Sequence, residues 1–188
     1  MRRSRKSSLK RKGLGSILNA IPVCERPPEA SDRAIPEHWE GDLIQGAKNS
    51  CIVTLVERHS RFVMLAKIRD NKTITVISAL IIQARELPVE HYKTLTWHRG
   101  AEMTSHARFT VATDIQVYFC DPQSPWQRGS NENTNRLLRQ YFPKGTDLAV
   151  HSQQRLNSVA VQLNGRPRKT PDYASPAERF NKCVASIG

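Results

Sequence analysis

The chain has 188 residues, 38% of them hydrophobic with three Trp and five Phe, which suits one domain with a real core plus an appendage. Its net charge of +12 is uneven: Arg2, Arg3, Arg5, Lys6, Lys10, Arg11 and Lys12 crowd the first twelve residues, and the remaining 22 basic residues face 17 acidic ones. Four scattered cysteines with no C-x-x-C pair exclude a zinc finger or a small disulfide scaffold and suit reduced intracellular thiols. No apolar run has the length of a membrane span, and no apolar signal segment follows the basic end.

Residues 1–36 read as a basic tail and linker: the tail commonly neutralises nucleic-acid phosphates, although charge blocks are also unstructured by default. Pro22, Pro27, Pro28 and Pro36 keep the linker extended. The folded domain is expected over residues 37–188. Three segments rich in β-branched and apolar residues, Trp39 to Ile44, Ser50 to Glu57 and Arg61 to Ile68, are separated by short polar turns and predict an antiparallel meander. Ile74, Ile77, Leu80, Ile81 and Ala84 recur at helical spacing after Thr73. Lys93 to Trp97 is a short strand, Ala101 to Thr113 a helix and Ile115 to Phe119 another strand, so parallel pairing with right-handed crossovers follows. Helices are expected around Gln153 to Leu163 and Pro176 to Val184, with the cationic loop Gly165 to Pro171 between them. The expected fold is α/β, with one mixed five-stranded sheet flanked by helices.

Ser124 to Phe142, SPWQRGSNENTNRLLRQYF, reads as a loop running into a helix capped by Ser130 or Asn131. Thr134, Leu137, Leu138 and Tyr141 form one stripe, with Glu132, Asn135, Arg136 and Arg139 opposite. Glu132 is either a surface partner of Arg136 at i, i+4 or a metal-binding carboxylate. Asp42 sits inside a strand, where aspartate is disfavoured, so it is either at a solvent-facing edge or functional. His98 follows the fourth strand, at the strand end where α/β sheets place functional groups.

The stretches HWEGDLIQG (38–46), TLVERHSRFVMLAKI (54–68), KTLTWHRGAEM (93–103), IQVYFCDPQSPWQRGSNENTNRLLRQYFPKGTDL (115–148) and LNGRPRKT (163–170) resemble bacterial transposases of the insertion-sequence-thirty family. That family belongs to the DDE transposase and retroviral integrase superfamily. The resemblance covers most of residues 37–180 and implies an RNase H-like catalytic core without the family's N-terminal helix-turn-helix region. It also implies a catalytic triad of two aspartates and a glutamate. Asp42 and Glu132 match the first and third members, and His98 stands where the second aspartate belongs.

The 33 residues between His98 and Glu132 agree with the family's spacing. By resemblance the triad holds two Mg²⁺ or Mn²⁺ ions for DNA cleavage and strand transfer. Imidazole is a softer ligand than carboxylate, so ion occupancy and activity are expected to be impaired. Glu102 and Asp121 are acids near enough in sequence to compensate. The implied partner is double-stranded DNA, bound by a homo-oligomer in the cytoplasm at the nucleoid, with no membrane. Candidate DNA contacts are Trp126, Arg128, Asn131, Asn135, Arg136, Arg139, Lys144, Arg166, Arg168 and Lys169. A noncatalytic DNA-binding remnant or regulator is the competing reading.

Overall fold

The computed structural model describes residues 17–122, 124–168 and 173–185. Its frame is a sheet of strands β1 (Ile21–Pro22), β2 (His38–Gln45), β3 (Cys51–Glu57), β4 (Val63–Ile68), β5 (Thr94–Trp97) and β6 (Gln116–Phe119), in the order β1-β6-β5-β2-β3-β4. The helices are α1 (Pro28–Ser31), α2 (Thr73–Arg85), α3 (His106–Thr113), α4 (Gly129–Leu138), α5 (Gln153–Asn164) and α6 (Pro176–Ala185). The sheet is mixed, as expected: β2, β3 and β4 pair antiparallel, while β2, β5 and β6 pair parallel.

The sheet has six strands instead of five. The extra strand, β1, is two residues of the proline-containing segment that pair parallel with β6. Proline lacks an N–H, and at an edge position it leaves no ladder bond unmade on the outer side. That segment also packs on the sheet: Ile17 and Ala30 are buried, and Arg26 Nη1 donates to Thr96 Oγ1 at 2.9 Å. The expected helix over Ala101 to Thr113 divides into a 3-10 turn at Ala101–Met103 and then α3. Lys48 and Asn49, both at positive φ, turn β2 into β3.

Alternation along the strands divides the core. Trp39, Val53, Leu55, Leu95, Trp97, Val117 and Phe119 face α2 and α3 on one side of the sheet. Ile44, Ile52, Val56, Val63 and Leu65 meet Leu138, Leu156, Val159 and Leu163 of α4 and α5 on the other. With helices on both faces, every residue of β3 is buried. The exposed edge at β4 is satisfied by side chains of α5. Asn164 accepts from Val63 N–H at 2.8 Å and donates to Val63 C=O at 2.9 Å. Gln153 accepts from Lys67 N–H and donates to Leu65 C=O, both at 2.7 Å. Two amides thus take the place of a neighbouring strand, which removes an edge open to self-pairing.

Candidate active site

The three parallel strands end on the same side of the sheet, where loops leave a crevice. Pairing between β2 and β5 stops at Glu40 with Thr96, yet β2 continues to Gln45. Asp42 therefore stands in the middle of the sheet on a stretch of β2 that β5 no longer covers, and not at an outer edge. Its backbone still pairs with Thr54 of β3. Close packing fixes this corner: a Cβ on Gly41 would lie 2.2 Å from the ring of Trp97, which is fully buried. Only glycine lets the indole lie flat against β2.

His98 leaves the end of β5 beside that indole. Its Nε2 lies 2.9 Å from Glu102 Oε1, and the same oxygen accepts from Trp97 Nε1 at 2.9 Å. Its Nδ1 is buried, makes no hydrogen bond and lies 3.4 Å from Asp42 Oδ1. Burial pushes the Glu102 carboxyl up, but the hydrogen bond and charge of His98 and the Trp97 N–H outweigh it and hold the group below its ordinary value.

Asp42 is engaged from several directions. Oδ1 accepts from Leu43 N–H at 2.8 Å; Oδ2 accepts from Arg128 Nη1 at 2.9 Å and from Asn135 Nδ2 at 3.4 Å. Arg128, 8% exposed, also donates to Gly41 C=O at 3.2 Å. Burial lowers the Arg128 pKa, and the neighbouring Asp42 charge and hydrogen bond more than reverse that, leaving it above its ordinary value. The sequence pattern gave no sign of this pair, since 86 positions separate the two residues and a basic loop reads as a solvated one.

Helix α4 carries Glu132 over the crevice. Neither Ser130 nor Asn131 caps it as expected: the helix begins at Gly129, the N-cap position is Arg128 and makes no side-chain cap. Glu40 of β2 supplies the acceptor instead, taking Asn131 N–H on Oε2 at 2.9 Å while Arg58 Nε donates to Oε1 at 3.0 Å. Asn131 Nδ2 returns to Glu40 C=O at 3.0 Å. A carboxylate at the positive end of a helix is favourable, and this one is fully buried. It could have been suspected only from an acid lying in a buried strand.

Glu132 is exposed and makes no ion pair with Arg136 among the described residues; Arg136 instead approaches Asn133 at 3.5 Å. Glu132, Asp42, Asn135, Arg136, Arg139 and Lys144 line one cleft of about 400 Å³. A second cavity of about 410 Å³ is lined by His98, Arg99, Asp121, Ser124 and Arg128, so His98 does not line the cleft of Asp42 and Glu132. Asp121 is exposed and bonded to Gln127.

Of the other candidate contacts, Trp126 is 69% exposed, whereas Asn131 is fully buried and serves α4. Arg166 is exposed, donates to the Tyr141 hydroxyl at 2.7 Å and lies over its ring. Arg168 is half-buried against Leu163 C=O. Lys169 and the basic tail lie outside the described residues.

The resemblance to the DDE transposase and integrase superfamily implies divalent ions. Among the described residues, no group of three or more His, Cys, Asp or Glu side chains is placed to hold a metal ion. Asp42 is occupied by donors, and the nearest nitrogen of His98 to a carboxylate is already committed to Glu102. As they stand, the residues do not fit a three-ligand site.

The sequence pattern of the integrase core domain family matches residues 32–125. The chain is 50% identical over 174 residues to the Escherichia coli K12 transposase InsI for insertion sequence element IS30A, covering 93% of this chain and 45% of that protein. It is 49% identical over 173 residues to the transposase for insertion sequence element IS1086 of Cupriavidus metallidurans, covering 92% of this chain and 51% of that one. The chain thus spans about half the length of these relatives. The crystal structure of the catalytic core domain of BIV integrase superposes with a TM-score of 0.59 at 18% identity, covering 79% of this chain and 96% of that one, and the shared fold is RNase H-like.

Proposed function

Because the chain belongs to the integrase core domain family, we propose that it is the catalytic-core part of a transposase that cuts and joins double-stranded DNA, with that chemistry impaired by His98 in the place of the second aspartate. The observation that carries this reading is the shared cleft: Asp42 from β2 and Glu132 from α4, ninety positions apart, line it together with Arg136, Arg139 and Lys144. Cations beside two acids suit a phosphodiester, since the cations bind the flanking phosphates while the acids face the reacting one. Trp126, exposed on the loop leading into α4, offers a stacking face to an unpaired base. Among the described residues Glu132 makes no ion pair, and the Arg128 charge lies near enough to feel it. Asp42 is not free in this arrangement, since Leu43 N–H and Arg128 hold it.

Joining two DNA ends calls for more than one catalytic core, so a homo-oligomer on DNA in the cytoplasm, at the nucleoid, belongs to this proposal. No described helix is long and apolar enough to cross a membrane. The test is cleavage and strand transfer on the element's own ends, with Mg²⁺ and with Mn²⁺, comparing the unaltered chain with His98→Asp. A gain of at least about tenfold in the variant is expected, a small fraction of what electrostatic stabilisation of a reacting phosphate can contribute. Equal activity of the two proteins would sink the idea of an impaired site.

A second reading, a noncatalytic DNA-binding remnant or regulator, is favoured by the engagement of Asp42 with Arg128. It predicts DNA binding that is unchanged by chelator, with no cleavage by either protein.

A further inference from the structure

Donors crowd the Asp42 carboxylate, whose side chain keeps only 20% of its surface open to the cleft. A carboxylate offers about four lone-pair positions. Leu43 N–H and the approach of His98 Nδ1 cover Oδ1, and Arg128 Nη1 and Asn135 Nδ2 cover Oδ2. Of these, Arg128 is the one permanent charge, since a guanidinium does not lose its proton in proteins. Its Nη1 alone serves two acceptors, Asp42 Oδ2 and Gly41 C=O, from the junction where the 3-10 turn Pro125–Arg128 meets α4. A hard divalent ion must come within about 2.1–2.6 Å of a carboxylate oxygen. That shell overlaps the volume of a nitrogen 2.9 Å from the same oxygen, and the two positive charges repel.

We propose that Arg128 is the internal counter-cation of Asp42, holding the place beside this carboxylate that a divalent ion would take, so that an ion binds there only when the guanidinium leaves. Three features favour the guanidinium in this chain. Arg128 is more than nine-tenths buried, so its pairing with Asp42 is little screened by water. The position that would add a second carboxylate to recruit an ion carries His98 instead. His98 itself is held through Nε2 by Glu102, which is held in turn by the Trp97 N–H. Arg128, Asp42, His98 and Glu102 thus stand in one chain of contacts. The proposal takes from the proposed function only the choice of divalent ions as probes, and it stands on the Asp42 geometry whether or not the chain joins DNA.

The test is Mn²⁺ binding to the full chain without DNA, read from the paramagnetic resonance of the free ion, with circular dichroism as the check of folding. Up to roughly 1 mM Mn²⁺ the unaltered chain is expected to match its Asp42→Asn variant, a level that marks very weak binding. Arg128→Gln is expected to bind at least about tenfold more tightly, equivalent to one decade of dissociation constant, and adding Asp42→Asn to it should abolish the gain. If Arg128→Gln fails to fold, Arg128→Lys decides: the ammonium ends one bond short of the position of Arg128 Nη1, so it holds Asp42 less closely and an intermediate gain is expected. A binding step in the unaltered chain that Asp42→Asn removes would overturn the proposal, as would folded Arg128 variants that gain nothing. Failure of His98→Asp to cut DNA alongside the expected Mn²⁺ series would count against the proposed function and leave Arg128 as the counter-cation.

Discussion

Replacing Glu40 with alanine tests how α4, and with it Glu132, is anchored over the sheet. Glu40 is fully buried, and its partners Arg58 and Asn131 are buried with it. Removing the acid strands the Arg58 guanidinium, whose Nη1 already has no partner, and breaking such a pair from one side costs about 3–5 kcal/mol. The Asn131 N–H in the first turn of α4 also loses its acceptor, worth a further 1–3 kcal/mol or so, though the two losses overlap. A total of about 5 kcal/mol is expected, or roughly 10–20 °C in Tm for a chain of this size. Urea unfolding followed by tryptophan fluorescence measures it, because Trp39 and Trp97 are fully buried. The paired substitution Glu40→Met with Arg58→Met removes both charges and should recover all but about 1–2 kcal/mol, since apolar replacement of a buried pair is often near neutral. A loss below about 1 kcal/mol in Glu40→Ala would refute the anchoring role, because no buried unpaired charge is that cheap.

Three further outcomes follow from the same structure. Gly41→Ala drives a Cβ into the buried Trp97 ring, so a loss of about 1–3 kcal/mol in thermal or urea unfolding is expected from overpacking. Asn164→Ala with Gln153→Ala uncovers the outer edge of β4, and size-exclusion chromatography at rising concentration should show self-association beyond that of the unaltered chain. Burial, with Arg58, Arg26 and Lys93 nearby, lowers the His38 pKa to about 4, so the imidazole is neutral in the fold and takes a proton on unfolding between there and its ordinary value. Stability is therefore full above about pH 6.5 and falls as pH drops toward 4, by at most about 1.4 kcal/mol per pH unit from this group. His38→Gln should flatten that part of the stability profile measured in urea, and an unchanged slope would show that other groups set it.

Much of the architecture is legible in the residues. The β-branched, apolar run Ser50 to Glu57 reads as a strand. The spacing of Ile77, Leu80 and Ala84 marks the covered face of α2 because a helix repeats every 3.6 residues, although Ile74 of the expected stripe is exposed and Val76 is buried instead. The alternation from Lys93 to Phe119 sets the parallel pairing by the same local rule. Asp42 and Glu132 stand out because an acid within a strand and an acid amid arginines both run against local preference. His98 is visible as the residue that breaks the resemblance.

What escaped the sequence lies across long separations. The two-residue strand β1 forms because β6 offers it a partner, and nothing in Ile21–Pro22 favours a strand by itself. The cap of α4 comes from Glu40, 91 positions away, so no rule about neighbouring residues could have identified it. By its charge and basic surroundings Arg128 reads as a DNA contact, and only packing turns it inward onto Asp42. Residue types and their spacing determined the layers, the order of the elements and which acids, Asp42 and Glu132, run against local preference. Tertiary structure decided which charges face solvent and which satisfy one another, because the energy of a charge depends on what surrounds it once water has been removed.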